Sequence, residues 1–229
     1  MNIIITGASK GIGFETCKRL FSNENNKIIA ISRSSDSFIK NDNFDNERFT
    51  HLRIDIGKDD FNQILIPTVK SVFGKTDIII NNAGLLINKP FDSFTDQEFD
   101  EIFNVNVKSV FRLVRDMIPH MNQGSHIVNI TSMGGFQGSS KFSGLSLYSA
   151  SKGALSILSE AMAEELKQFG ISSNALALGA VQTEMLSMAF PDFKAPLSPA
   201  EMADFVADFA QNGHRYFNGK VLPVSLSTP

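Results

Sequence analysis

Short runs of branched apolar residues alternate with longer stretches of helical periodicity along almost the whole chain. Strand-like runs fall near residues 2–6, 27–32, 50–55, 77–81, 126–131, 171–178 and 220–224. Asn2-Ile3-Ile4-Ile5 is typical: apolar without alternation, the pattern of a strand covered on both faces. Between the strands the pattern predicts helices near 12–22, 59–73, 95–121, 148–169 and 199–211. In the helix from 95, Phe99, Ile102, Phe103, Val107, Val110, Phe111 and Val114 make one apolar stripe, suited to the core or to a subunit contact. This alternation predicts an α/β fold, a Rossmann-type doubly wound parallel sheet of about seven strands flanked by helices. No linker-like run and no repeat divides the chain, so residues 1–229 read as a single domain, with the polar stretch 34–48 as a long connection.

The first strand runs into Thr6-Gly7-Ala8-Ser9-Lys10-Gly11-Ile12-Gly13 and then a helix. Glycines at 7, 11 and 13 permit a tight turn and close approach to a pyrophosphate, which the helix N-terminus attracts. The spacing is not the commoner GxGxxG, and no Gly-Lys-Ser/Thr follows, so a triphosphate loop is excluded. Further on, Tyr148-Ser149-Ala150-Ser151-Lys152 puts a lysine one helical turn after a tyrosine. A fixed positive charge there favours the phenolate and makes the tyrosine a usable proton donor or acceptor. Two other strands end on polar groups: Asp77-Ile78-Ile79-Ile80-Asn81-Asn82-Ala83-Gly84 on two amides, and Ile127-Val128-Asn129-Ile130-Thr131-Ser132 on hydroxyls. In an open α/β sheet, ligands bind beyond such carboxyl ends.

Together these residues resemble the short-chain dehydrogenase/reductase family in its compact single-domain form, and are similar to its 3-ketoacyl-carrier-protein reductases and carbonyl reductases. Residues 6–13 match the family's cofactor loop, Asn81-Asn82-Ala83-Gly84 its fourth-strand motif, and Asp55-Ile56 the acidic pair facing the adenine. Asn106, Ser132, Tyr148 and Lys152 match its catalytic positions. The resemblance runs from residue 3 to about 183 and returns weakly at Gly219-Lys220-Val221-Leu222. It implies reversible hydride transfer between a nicotinamide and a carbonyl or secondary alcohol. Tyr148 would be the general acid, Ser132 the hydrogen-bond donor to the carbonyl oxygen, and Lys152 the group that depresses the tyrosine and holds the ribose. Asn106 would position a water linking Lys152 to solvent. For cofactor binding it implies Gly7, Ser9, Lys10, Gly11, Ile12, Gly13, Arg33, Asp55, Ile56, Asn82, Ala83, Gly84, Tyr148, Lys152, Gly179, Val181 and Thr183. Assembly as a homodimer or homotetramer also follows from it.

Three departures stand out. Leu178-Gly179-Ala180-Val181-Gln182-Thr183 keeps Gly and Thr but loses the proline usual before them. The stretch 134–144 lengthens the gap from Ser132 to Tyr148 and is placed at the substrate entrance. The C-terminal residues 224–229 lack the usual Asp-Gly-Gly.

Where a carboxylate would hold the adenine ribose, about 20 residues past the glycines, the chain has Ser32 and Arg33. Lys10 adds a second cation, Asp36 is a competitor, and the balance favours NADP(H) over NAD(H). A net charge of −3 with no basic cluster argues against nucleic acid. Met1 leads almost directly into the first strand and the apolar runs are strand-sized, so no signal peptide and no membrane span are expected. The lone Cys17 and four histidines show neither disulfide nor metal spacing; a cytoplasmic location is expected and no metal. The segment 184–193 reads as a lid, rich in Met and Phe, over a small-molecule substrate. A non-catalytic dinucleotide sensor would tend to lose Tyr148 or Lys152, and a sugar-nucleotide epimerase would need more chain after Thr183.

Overall fold

Ile3, Ile4 and Ile5 are fully buried because β1 (Asn2–Thr6) runs through the middle of a sheet covered on both sides. The computed structural model describes residues 1–35, 38, 44 and 47–226. After β1 come α1 (Gly11–Phe21), β2 (Lys27–Ser32), β3 (Phe49–Arg53), α2 (Phe61–Val72) and β4 (Thr76–Asn81). Then follow α3 (Asp96–Phe103), α4 (Ser109–Met117), β5 (Met121–Ser132), α5 (Ser146–Glu165) and β6 (Ser172–Leu178). The last elements are α6 (Glu184–Ala189), α7 (Pro199–Asn212) and β7 (Val221–Val224). All seven strands are parallel, in the order β3-β2-β1-β4-β5-β6-β7. The order reverses at β1 and β4, so their carboxyl ends open a crevice for a ligand.

Alternation along each strand sorts the core into two layers. Ile3, Ile5, Ile28, Ala30, Ile78 and Ile80 pack with Cys17 and Leu20 of α1 and Val206 and Ala210 of α7. Ile4, Ile29, Ile31 and Ile79 face the other way, against Leu65 of α2, Leu113 of α4 and Leu155 of α5. Capping boxes at Thr95/Glu98 and Ser198/Glu201 start α3 and α7.

The helix expected over 95–121 is broken twice. Asn104–Lys108 widens into a π-turn that carries the buried Asn106, and the helix stops at Met117. Pro119 has no N–H to continue it, and the chain passes through a 3-10 turn into β5. The stripe splits accordingly: Ile102, Val110 and Val114 are core, while Phe99 and Phe111 stay about half exposed. β5 also begins five residues before its apolar run, because Met121 pairs with Thr76 across an irregular register. At the opposite edge, Lys220 O and Val224 O accept from Ala175 N and Gly179 N, so Pro223 turns its backbone outward.

A buried histidine under the sheet gives the fold a pH dependence. His126 is fully buried, its Nδ1–H donating to Ala210 O at 2.9 Å and its Nε2 accepting from Asn174 Nδ2 at 3.0 Å. Both contacts fit the neutral ring, and burial pulls its pKa down to about 4. Below the unfolded value of 6.5 the unfolded chain takes the proton first, so stability is lost as pH falls from 6.5 towards 4. The full loss is about 3 kcal/mol. Urea midpoints at pH 7 and 4.5 should drop much further for the wild type than for His126→Gln; equal drops would remove His126 as the cause.

Candidate active site

The turn after β1 is shaped by what cannot fit there. Gly7 has φ +67, and a Cβ on it would lie 2.7 Å from Ala83 Cα. At Gly13 a Cβ would collide with Asn82 Nδ2 and Gly7 O. Asn82 fills that space, donating from Nδ2 to Thr6 O and Gly7 O, each at 3.1 Å. The Thr6 hydroxyl accepts from Asn82 N and Ala83 N. The β4 end thus holds the glycine turn, with Ser9, Gly11 and Ile12 in it. No side chain caps α1 and its first turn holds no acid, so its free N–H groups and positive dipole end suit a phosphate.

Across the crevice, Tyr148 and Lys152 share one side of α5. Lys152 is buried, its ammonium 2.8 Å from Ile130 O and 5.8 Å from the centroid of the Tyr148 ring. Burial pulls its pKa down to about 8. Burial pushes the Tyr148 phenol up to about 12, opposed by a hydrogen bond with the Ser132 side chain. Burial is the larger effect on the phenol, and the Lys152 ammonium lies beside its ring. Ser132 Oγ also accepts from Gly134 N at 3.1 Å.

Asn106 is held by three side-chain hydrogen bonds. Its Oδ1 accepts from Leu85 N at 2.7 Å, and its Nδ2 donates to Leu85 O and Ser151 Oγ, both at 2.9 Å. These bonds fix Asn106 at the π-turn facing α5, and leave its Oδ1 a second lone pair. Ser151, which the sequence reading passed over, is fully buried and donates to Tyr148 O at 2.7 Å. The signal was there: a hydroxyl on the core side of a helix, just before the lysine. A Cβ on Gly84 would come within 3.3 Å of Lys152 Nζ, so that glycine guards the room around the ammonium.

Most of the other expected cofactor residues also have partners within the protein. Asp55 spends Oδ1 on Gly57 N at 3.1 Å, and Ile56 packs on the core of the α2 layer. Lys10 reaches Glu184 of α6 at 2.9 Å, bridging the glycine turn to the segment after β6. Arg33 is exposed with no partner among the described residues; Asp36 lies outside them. Gly179 N donates to Val224 O, Val181 is buried, and Thr183 Oγ1 caps α6 by accepting from Leu186 N.

Three segments are tied together just before the start of α5. Lys89 N donates to Gly144 O, and Asn88 Nδ2 donates to Ala189 O at the end of α6. The lid segment proves to be a six-residue helix with no buried side chain, and Met188 is 80% exposed. The stretch 134–144 borders an open cavity of about 430 Å³ lined by Phe136, Gln137, Phe142, Ser146 and Ser149 among others. Ser149 and Ala150, which follow Tyr148 on α5, are at the same cavity. Among the described residues no group of three or more His, Cys, Asp or Glu could hold a metal. None of the helices is long and apolar enough to cross a membrane.

Residues 1–193 match the family described as short chain dehydrogenase. A 3-oxoacyl-(acyl-carrier-protein) reductase of Staphylococcus epidermidis is 27% identical, with 97% of this chain and 96% of that protein covered. An uncharacterized oxidoreductase of Staphylococcus saprophyticus is 31% identical over 80% of this chain and 75% of its own length. Among solved structures, the 3-ketoacyl-(acyl-carrier-protein) reductase of Brucella melitensis, complexed with NADH, superposes with a TM-score of 0.85 at 26% identity. That match covers 98% of this chain and 96% of the other.

Proposed function

The chain belongs to the short-chain dehydrogenase family, and from that membership and the site geometry we propose that it interconverts a carbonyl and a secondary alcohol with NADP(H). The observation that carries this reading is the convergence of a protonated phenol, a serine hydroxyl and a buried ammonium at one crevice. The residues fit a nicotinamide dinucleotide. The uncapped α1 terminus and the glycine cradle suit its pyrophosphate, and the buried Lys152 ammonium has one protein acceptor, leaving donors for ribose hydroxyls. Such a cofactor supplies or accepts a hydride.

Tyr148 gives its proton to the carbonyl oxygen in reduction and takes it back in oxidation. Ser132 hydrogen-bonds the same oxygen where negative charge grows, worth about 2–4 kcal/mol for a donor of this kind. Lys152 holds positive charge beside the developing phenolate. Asn106 and Ser151 fix the turn of α5 that carries Tyr148. Gly7 to Gly13, Asn82 to Gly84, Gly179, Val181 and Thr183 hold the cofactor. The preference for NADP(H) rests on this chain's own residues, with no carboxylate at Ser32 and, at Arg33, an exposed cation that has no partner among the described residues. In the same reading the protein works in the cytoplasm as a homodimer or homotetramer on a small-molecule substrate.

The test is loss of reduced-nicotinamide absorbance against a panel of ketones and aldehydes. Turnover with NADPH should exceed turnover with NADH at least several-fold at limiting cofactor. Tight NADPH binding without turnover on any substrate would point to a dinucleotide sensor, and binding of neither cofactor would overturn the site assignment.

A further inference from the structure

We propose that Arg53, at the carboxyl end of β3, determines cofactor specificity by gripping the 2′-phosphate of NADP(H). The inference rests on the NADP(H) reading above and goes beyond it to a residue on a different strand.

The sheet register places Arg53. It pairs with Ser32 at the end of β2. Along β2, Ile28 and Ala30 face the layer of α1 and α7, whereas Ile29 and Ile31 face the other layer. Ser32 therefore points to the α1 side, and Arg53, its in-register partner, points with it. His51, two residues earlier, lies on that side: its ring centroid is 5.1 Å from that of Phe38, and its Nε2 is 2.8 Å from Ser32 Oγ. The uncapped N-terminus of α1 is on the same side, and Ala8 N donates to Ile31 O at 3.2 Å, tying the glycine turn to the β2 end. Neighbouring strands are about 4.8 Å apart, and an extended arginine reaches further than that. Arg53 thus stands one strand away from the position that meets the adenine ribose.

The local hydrogen bonds leave the arginine this task. Ser32 donates its only hydroxyl proton to Ser34 O at 2.6 Å and accepts from His51 Nε2, so it has no donor left for a phosphate. Lys10, the cation of the glycine turn, is held by Glu184. Arg33 and Arg53 remain, both exposed and both without a partner among the described residues. A phosphate dianion suits two guanidinium groups, each offering a planar fork of donors.

The experiment compares dissociation constants of NADPH, NADH, 2′,5′-ADP and 5′-AMP for the wild type, Arg53→Gln, Arg53→Lys and Arg33→Gln. Binding, not turnover, is read. Arg53→Gln should weaken NADPH and 2′,5′-ADP about tenfold, the scale of one lost charge-assisted pair, and leave NADH and 5′-AMP within about twofold. Arg53→Lys should recover part of the loss, and the salt dependence of NADPH binding should flatten in Arg53→Gln. Equal weakening of all four ligands would show a structural role and overturn the proposal. A wild-type preference for NADPH lost in Arg33→Gln but not in Arg53→Gln would overturn it while leaving the NADP(H) reading intact. A wild type with no preference for NADPH would end both.

Discussion

Tyr148→Phe is expected to lower kcat by about 10²–10⁴, the range for loss of a positioned general acid, while NADPH binds nearly as before. The substitution removes one oxygen and keeps the ring. That oxygen is desolvated and has the Ser132 hydroxyl as its partner, so the variant should fold normally. Single-turnover rates with saturating cofactor would isolate the chemical step. Retention of more than a tenth of the activity would mean that another group delivers the proton. The pH profile offers a second check. With the phenol pushed up to about 12, the tyrosine stays protonated across the neutral range; Lys152, pulled down to about 8, is what titrates. Carbonyl reduction should therefore be level below pH 8 and decline above it, as the ammonium beside the phenolate loses its charge.

Lys152→Met should abolish turnover to a similar degree and at the same time stabilise the protein. Burial lowers the folded pKa of this lysine from 10.5 to about 8. Holding it charged at pH 7 therefore costs about 3 kcal/mol. The sign follows from linkage: the unfolded chain keeps its proton up to 10.5, so the penalty is complete below pH 8 and relieved between 8 and 10.5. The apo protein should accordingly gain stability from pH 8 to about 9, before ionisation of Cys17 and then Tyr148 in the unfolded chain reverses the trend. In the variant, Ile130 O loses its donor, at about 1–3 kcal/mol, which leaves a net gain near 1 kcal/mol. A Tm some 2–4 °C higher at pH 7, with a flat response from pH 8 to about 9, is the expected result. A Tm lowered by several degrees would show that the lysine is a structural bond first.

Much of this was legible in the chain because strand periodicity and strand ends are local signals. The isoleucine runs of β1, β2 and β4 announce buried parallel strands, and each run ends on the polar residues that reach the crevice. What stayed hidden depends on partners far away in sequence. The Lys10–Glu184 pair joins residues 174 positions apart, and neither residue alone suggests the other. Asp55 accepts from Gly57 N in its own turn, a bond that its place in the sequence does not show by itself. The π-turn at Asn104–Lys108 shifts the helix phase by one residue, which an apolar stripe read at constant period cannot reveal. Tyr148 and Lys152 were placed together by spacing, but their pKa values follow from burial, a property of the whole packed core.

The outward-facing Pro223 has a consequence for how these molecules meet one another. A parallel edge strand is an open template on which another chain can continue the sheet. Here the middle of that template lacks its donor, since proline has no N–H and the residues on either side, Leu222 and Val224, turn their backbone groups inward. Strand-by-strand growth from β7 would leave a gap in the ladder at its second rung. Continuation of the sheet through this edge therefore forfeits one main-chain bond, which weakens any runaway polymerisation at that residue.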